Sequence, residues 1–253
     1  MNNKQKDIFF QIHQGIPREG PGDFESTKNA FLKMVDLPPH PKIIDIGCGP
    51  GLQTLDLASL TNGTIIAVDN HLLYINELKQ KIIQQGLSAQ IEVIEADMFC
   101  LNFPDATFDV IWSEGSIYII GFENGLKQWQ PLLKQGGYLA ASEITWLKPN
   151  APKELQEFWH TGYPAMQDIP GNCQIIQNSG YKIIDYFILP ESAWWNHYYQ
   201  PLEAKLQIFQ KHYQADLEII EVLNMVQQEI DLYRKYSEYY SYVFYIVQKQ
   251  AAS

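Results

Sequence analysis

Asp45 stands two residues ahead of Gly47, and Gly49 and Gly51 follow at alternate positions, in the run IIDIGCGPG at 43 to 51. Two further acids come at intervals, Asp69, 22 residues after Gly47, and Asp97, at the end of IEVIEAD. A carboxylate can accept hydrogen bonds from ribose hydroxyls or hold an ammonium group, and glycines let a backbone approach a ligand closely. The spacing G-x-G-x-G lacks the G-x-G-x-x-G of a pyrophosphate-binding turn, so with Asp45 ahead of it the loop suits a ligand carrying an ammonium group in place of phosphates. Such a set can act together only if each acid ends a strand, because open α/β sheets bind ligands beyond the carboxyl ends of their strands.

The chain supplies those strands. From 23 to 148 it alternates short apolar runs with helical periodicity, the pattern of βαβ units around a mostly parallel sheet. Ala30, Phe31, Met34 and Val35 give a helix face that stops at the proline-rich loop 37 to 41. Ile43 to Ile46 make a first strand, apolar on both faces apart from Asp45. Leu52, Leu55, Ala58 and Leu60 start a helix straight after the glycines, TIIAVD (64 to 69) is the second strand, and Leu72, Ile75, Leu78 and Ile82 face a helix ending at Gly86. IEVIEAD (91 to 97) is the third strand and Phe108 to Trp112 the fourth, while Leu126, Trp129, Leu132 and Leu133 predict a helix that stops at Gly136 and Gly137 before the fifth strand, YLAASEITW. YKIIDYFIL (181 to 189) and YVFYIVQK (242 to 249) pair around an insertion, 190 to 240, which opens on PESAWWNHYYQP and runs on helically from Leu202 to Tyr240.

Composition excludes several classes. At 253 residues, 46% apolar and 19% charged, the chain is an ordinary folded protein of one large domain. A net charge of −11 without any basic run argues against nucleic acid as partner. No segment has the roughly 18 apolar residues of a membrane span and the N-terminus has no signal-like stretch, so the expectation is a cytoplasmic protein with no membrane partner. Cys48, Cys100 and Cys173 lie too far apart for a disulfide framework or a zinc site and read as small buried residues, Cys48 included, since no base lies beside it. His13, His40, His71, His160 and His212 have no metal-ligand spacing, and no metal is expected.

DIGCGPG, the acid in AVD, the EAD segment and FDVIW resemble the successive motifs of class I S-adenosylmethionine-dependent methyltransferases, over about 43 to 148. IWSEGSIYIIGFENGLKQWQPLLKQGGYLAASEITW, FILPESAWWNHYY and YYSYVFYIVQK are similar to bacterial small-molecule methyltransferases related to those of ubiquinone and menaquinone biosynthesis. The resemblance implies a Rossmann-like sheet of seven strands, six parallel and the last antiparallel, with helices on both faces and the helical, aromatic insertion before the last strand. It divides the single domain 1–253 into an N-terminal lid (1–27), a core (28–189 and 241–250) and a cap (190–240). It implies S-adenosyl-L-methionine as cofactor, leaving S-adenosyl-L-homocysteine as product, with Asp45, Gly47, Cys48, Gly49 and Gly51 on the methionyl side. Asp69 and Asn70 then belong to the ribose, Asp97 and Met98 to the adenine, and Ser113 and Glu114 to the junction of cofactor and acceptor.

Methyl transfer by in-line displacement needs reactants held in a dry pocket, and a base only when the acceptor must lose a proton. Glu114 and Tyr118 are the catalytic candidates, Glu114 first as base, with Tyr118, four residues on, sharing its direction if SIYII begins a helix. Tyr118, Tyr163, Trp194, His197 and Tyr198 are expected to bind a small-molecule acceptor, and Gly20, Pro21 and Gly22 to hinge the lid. The alternatives are a non-catalytic protein that binds S-adenosylmethionine or its homocysteine product and, behind it, an NAD-dependent reductase. A homodimer is compatible with either.

Overall fold

A computed structural model describes residues 1–250; the last three residues of the expected domain lie outside the described residues. In chain order the elements are α1 (Asn3–His13), α2 (Phe24–Leu32), β1 (Lys42–Ile46), α3 (Leu52–Leu60), β2 (Thr64–Asp69), α4 (Leu72–Gln84), β3 (Ile91–Glu95), β4 (Phe108–Glu114), α5 (Phe122–Trp129), β5 (Leu133–Trp146), α6 (Lys153–Gly162), α7 (Ile169–Asn178), β6 (Tyr181–Ile188), α8 (Glu191–Trp194), α9 (Gln200–His212), α10 (Leu217–Tyr236) and β7 (Tyr240–Lys249). A short 3₁₀ turn, Ile117–Ile119, follows β4, and a π-turn, Trp195–Tyr199, joins α8 to α9.

The seven strands lie in the order β3-β2-β1-β4-β5-β7-β6, with β7 antiparallel to both neighbours and the remaining pairs parallel. This is the expected Rossmann-like sheet. Ile43, Ile44 and Ile46 are fully buried because β1 lies at the centre with helices on both faces. Trp112, Tyr138, Ile144 and Phe244 pack one face with the helices of the insertion, while Ile44, Val68, Ile111 and Tyr245 pack the other. Among the described residues no helix is long and apolar enough to cross a membrane.

Three boundaries differ from expectation. The helix expected through Leu133 ends at Trp129, since Pro131 turns the chain into a 3₁₀ step, and β5 begins at Leu133. β3 ends at Glu95, leaving Asp97 in the turn beyond it. The helical run from Leu202 breaks between His212 and Leu217, where the Asp216 side chain caps α10. Cys48 is buried, as expected, but Cys100 is exposed on that β3 turn and Cys173 is half-buried on α7.

Candidate active site

The carboxyl ends of β1, β2 and β4 open on one cavity of about 960 Å³, closed from above by the N-terminal segment, α6, the α8 π-turn and α10. Its floor is the glycine loop. Gly47 and Cys48 both donate N–H bonds to the Val68 carbonyl, at 2.9 and 3.0 Å, so the loop turns tightly over the end of β2. Gly49 donates to Asp69 Oδ2 at 2.9 Å and His71 to Asp69 Oδ1 at 2.8 Å. Asp69 therefore ties the loop to β2, and each of its oxygens can accept a second bond from the cavity.

Gly47, Cys48, Gly49, Asp69, Asn70 and Met98 line this end of the cavity, and Tyr118, Tyr163, Trp194 and Tyr198 line the other. The structure thus brings together most of the residues singled out in the sequence. Trp194 is anchored rather than loose, its ring stacked on Tyr233 at 4.1 Å and its indole N–H given to Ser241 at 3.0 Å.

Five expected site residues stay outside the cavity wall. Asp45 is wholly buried under α3, where Oδ2 accepts the Thr54 hydroxyl at 2.6 Å, Oδ1 has no partner, and burial pushes the carboxyl up to about 7. It supports the loop from behind instead of meeting an ammonium group. Gly51 starts α3 and packs against Leu78. Asp97 is exposed, its carboxylate accepting the Phe99 N–H at 3.0 Å, and its neighbours Ala96, Met98 and Phe99 face the cavity. Ser113 is buried behind the wall and reaches the site only through Ser116, 2.7 Å away, which lines the cavity and donates to the Ile46 carbonyl at 2.8 Å. His197 lies outside the cavity lining that Trp194 and Tyr198 share, near enough to Asp56 for their charges to interact.

Glu114 is at the wall but already occupied. Oε2 receives Arg18 at 2.7 Å, and Oε1 receives the Thr27 hydroxyl at 2.7 Å and the Trp112 indole at 2.9 Å. Arg18, itself buried, also holds Asp56 at 2.6 Å. The expectation of a free base at Glu114 meets a carboxylate that three donors already occupy and that ties the N-terminal segment to the sheet.

Several cavity residues have no counterpart among the expected ones. Glu19 lies over Gly49, with its Cγ 3.5 Å from where a side chain there would begin, and burial pushes its carboxyl up to about 8. Tyr74, Glu229 and Tyr242 also line the cavity. Glu143, near the end of β5, is 1% exposed behind Tyr163, and its Oε2 has no partner. Burial pushes Glu143 up to about 8, against the Tyr163 hydrogen bond that pulls it down.

A carboxyl raised in the folded state favours folding while protonated, so its contribution is full below its ordinary value near 4.5 and is lost as pH rises through about 8. From pH 6 to pH 8 Glu143 alone should cost about 2 kcal/mol. Glu143→Gln is therefore expected to flatten the fall in urea-unfolding stability over that window by about this amount. An unchanged slope would show that Glu143 is solvated.

Comparison with known proteins bears on the same region. Residues 43–137 match the family model described as "Methyltransferase domain". The chain is 27% identical over 161 residues to phosphoethanolamine N-methyltransferase 1 of Arabidopsis thaliana, covering 63% of this chain and 32% of that protein. It is 28% identical over 107 residues to a sterol 24-C-methyltransferase of Neurospora crassa, covering 42% and 28%. The chain thus spans about a third of the length of these curated relatives. Among solved structures, the fold is similar to that of an S-adenosylmethionine-dependent methyltransferase from Geobacter sulfurreducens in complex with S-adenosyl-L-homocysteine, with a TM-score of 0.80, 15% identity, and 96% and 98% of the two chains covered.

Proposed function

We propose, from a chain that carries a class I S-adenosylmethionine-dependent methyltransferase domain, that it binds S-adenosylmethionine over the glycine loop and methylates a small molecule held in the aromatic half of the same cavity. The observation that carries this reading is the clamp of Asp69 on the Gly49 N–H at the floor of a cavity that runs on to Tyr118, Tyr163, Trp194 and Tyr198.

The residues fit such a cofactor. Glu19 Oε1 and the Tyr74 hydroxyl are buried polar atoms without partners, beside a loop whose Gly47 leaves no room for a side chain. Asp69 and Asn70 would hold the ribose hydroxyls, Met98 and Phe99 the adenine, and the loop with Glu19 and Tyr74 the methionyl end. When bound, S-adenosylmethionine supplies an electrophilic methyl group on a sulfonium. The chain's own part is to orient the acceptor between aromatic walls and keep water out, which can account for much of the rate without a base. Glu114 then serves as a positioning residue, and the segment 1–27, latched to it by Arg18, serves as the lid.

Thermal unfolding with S-adenosylmethionine, S-adenosylhomocysteine and NAD tests the reading. At 100 times its dissociation constant a ligand adds about 2.7 kcal/mol, roughly 5 to 10 °C at this chain length. Both sulfur compounds should raise the midpoint, NAD should not, and Asp69→Ala should remove most of the shift. Stabilisation by NAD alone would replace this reading with a nicotinamide-binding one.

A further inference from the structure

Tyr198 and Tyr242 are largely buried and both line the cavity, and among the described residues neither hydroxyl bonds to another protein group, so both are open to an occupant. A hydroxyl can both donate and accept, so two of them open to one space offer hydrogen bonds to a polar group there. Glu229, on α10, faces the same space. Its Oε1 accepts the Tyr199 hydroxyl at 2.9 Å, and among the described residues no lysine or arginine pairs with it. Burial among the rings raises its carboxyl pKa, and an added cation would bring it back down.

The remaining charges of the cavity exclude an anionic occupant. Arg18 is spent on Asp56 and Glu114, and His13 is held down to about 4 by burial and is neutral. Neither is free for a phosphate or a carboxylate. A neutral alcohol could bond to the tyrosines but offers the Glu229 carboxyl no charge to pair with. A group that donates hydrogen bonds and carries positive charge satisfies all three, and the ring faces favour it further.

We infer that the end of the cavity away from the glycine loop is a site for an amine on an apolar body, its nitrogen set between the Glu229 carboxylate and the hydroxyls of Tyr198 and Tyr242. This names the acceptor class of the methyltransferase reading above and rests on it. The phosphoethanolamine of the Arabidopsis relative is an amine too, but among the described residues lining the cavity its phosphate finds no unpaired lysine or arginine to receive it.

Isothermal titration calorimetry of protein saturated with S-adenosylhomocysteine tests the site with four probes: phenethylamine, 2-phenylethanol, phenylacetate and phosphoethanolamine. Phenethylamine should bind, and each of the others should bind at least about tenfold more weakly. Glu229→Gln keeps the shape and the Tyr199 bond; it should weaken phenethylamine by about tenfold or more and leave S-adenosylhomocysteine affinity as it is. Tyr198→Phe should weaken the amine as well. The inference is overturned if phenethylamine does not bind the saturated protein, if phenylacetate or 2-phenylethanol binds as well, or if Glu229→Gln leaves the amine unchanged. It is also overturned if Glu229→Gln weakens S-adenosylmethionine and spares S-adenosylhomocysteine, since the carboxylate would then serve the sulfonium. Failure of S-adenosylhomocysteine itself to bind would instead sink the methyltransferase reading.

Discussion

Replacing Arg18 with alanine is expected to lower stability by about 3 to 5 kcal/mol and to weaken cofactor binding in the same protein. The guanidinium side chain is 3% exposed and bridges Asp56 at 2.6 Å and Glu114 at 2.7 Å, with Glu114 itself 4% exposed. An exposed pair of this kind would contribute about 0 to 1 kcal/mol. Burial changes the outcome, because alanine leaves two neighbouring carboxylates without the guanidinium that pairs with both. The same contact joins the N-terminal segment to α3 and to the end of β4, while Thr27 of α2 holds the other oxygen of Glu114 at 2.7 Å. Loss of Arg18 therefore also frees the segment that brings Glu19 and Pro21 to the cavity. Urea unfolding and titration with S-adenosylhomocysteine would measure the two effects. Adding Glu114→Gln should recover part of the stability, since one uncompensated charge disappears, and should not recover affinity, since the latch stays open. A loss below about 1 kcal/mol in Arg18→Ala would mean that water already screens the pair.

The glycine turn and Asp69 were legible because their signals are local. Apolar β-branched runs, glycines at the strand end and an acid at the next strand end all lie within 27 residues, from Ile43 to Asp69. The end of α5 was not legible, because Leu132 and Leu133 continue the apolar spacing past Pro131. Tertiary partners decided the rest. Glu114 reads as a free acid until Arg18, 96 residues away, folds onto it. Glu229 sits in a run, EVLNMVQQEIDLYRK, whose acids read as a solvated helix face, and only the packing of α10 over the sheet turns this one toward the cavity. Trp194 and Tyr198 were found because dense aromatics announce a packed cluster, whereas the π-turn, on which His197 stays outside the cavity lining, leaves no mark in composition.

Gly47→Ala is expected to cost about 2 to 4 kcal/mol of stability and about 100-fold in affinity for S-adenosylhomocysteine. Two causes combine, and Gly86 separates them. Both residues have left-handed backbones, with φ of 73° and 70°, but a Cβ at Gly86 would meet nothing within 4 Å, whereas one at Gly47 would lie 2.5 Å from both Cβ and Oγ of Ser116. Gly86→Ala should thus show the backbone cost alone, about 1 kcal/mol, with binding unchanged. Ser116 cannot swing clear without loss, since its Oγ bonds the Ile46 carbonyl at 2.8 Å and Ser113 at 2.7 Å. The loop must yield instead, and with it the Gly49 N–H that Asp69 holds at 2.9 Å. A Gly47→Ala protein that bound S-adenosylhomocysteine normally and lost no more stability than Gly86→Ala would show that the loop does not cradle the cofactor. Adding Ser116→Gly to Gly47→Ala removes both overlapping atoms, so affinity should return in part while the backbone cost persists, which assigns the larger share of the effect to the clash.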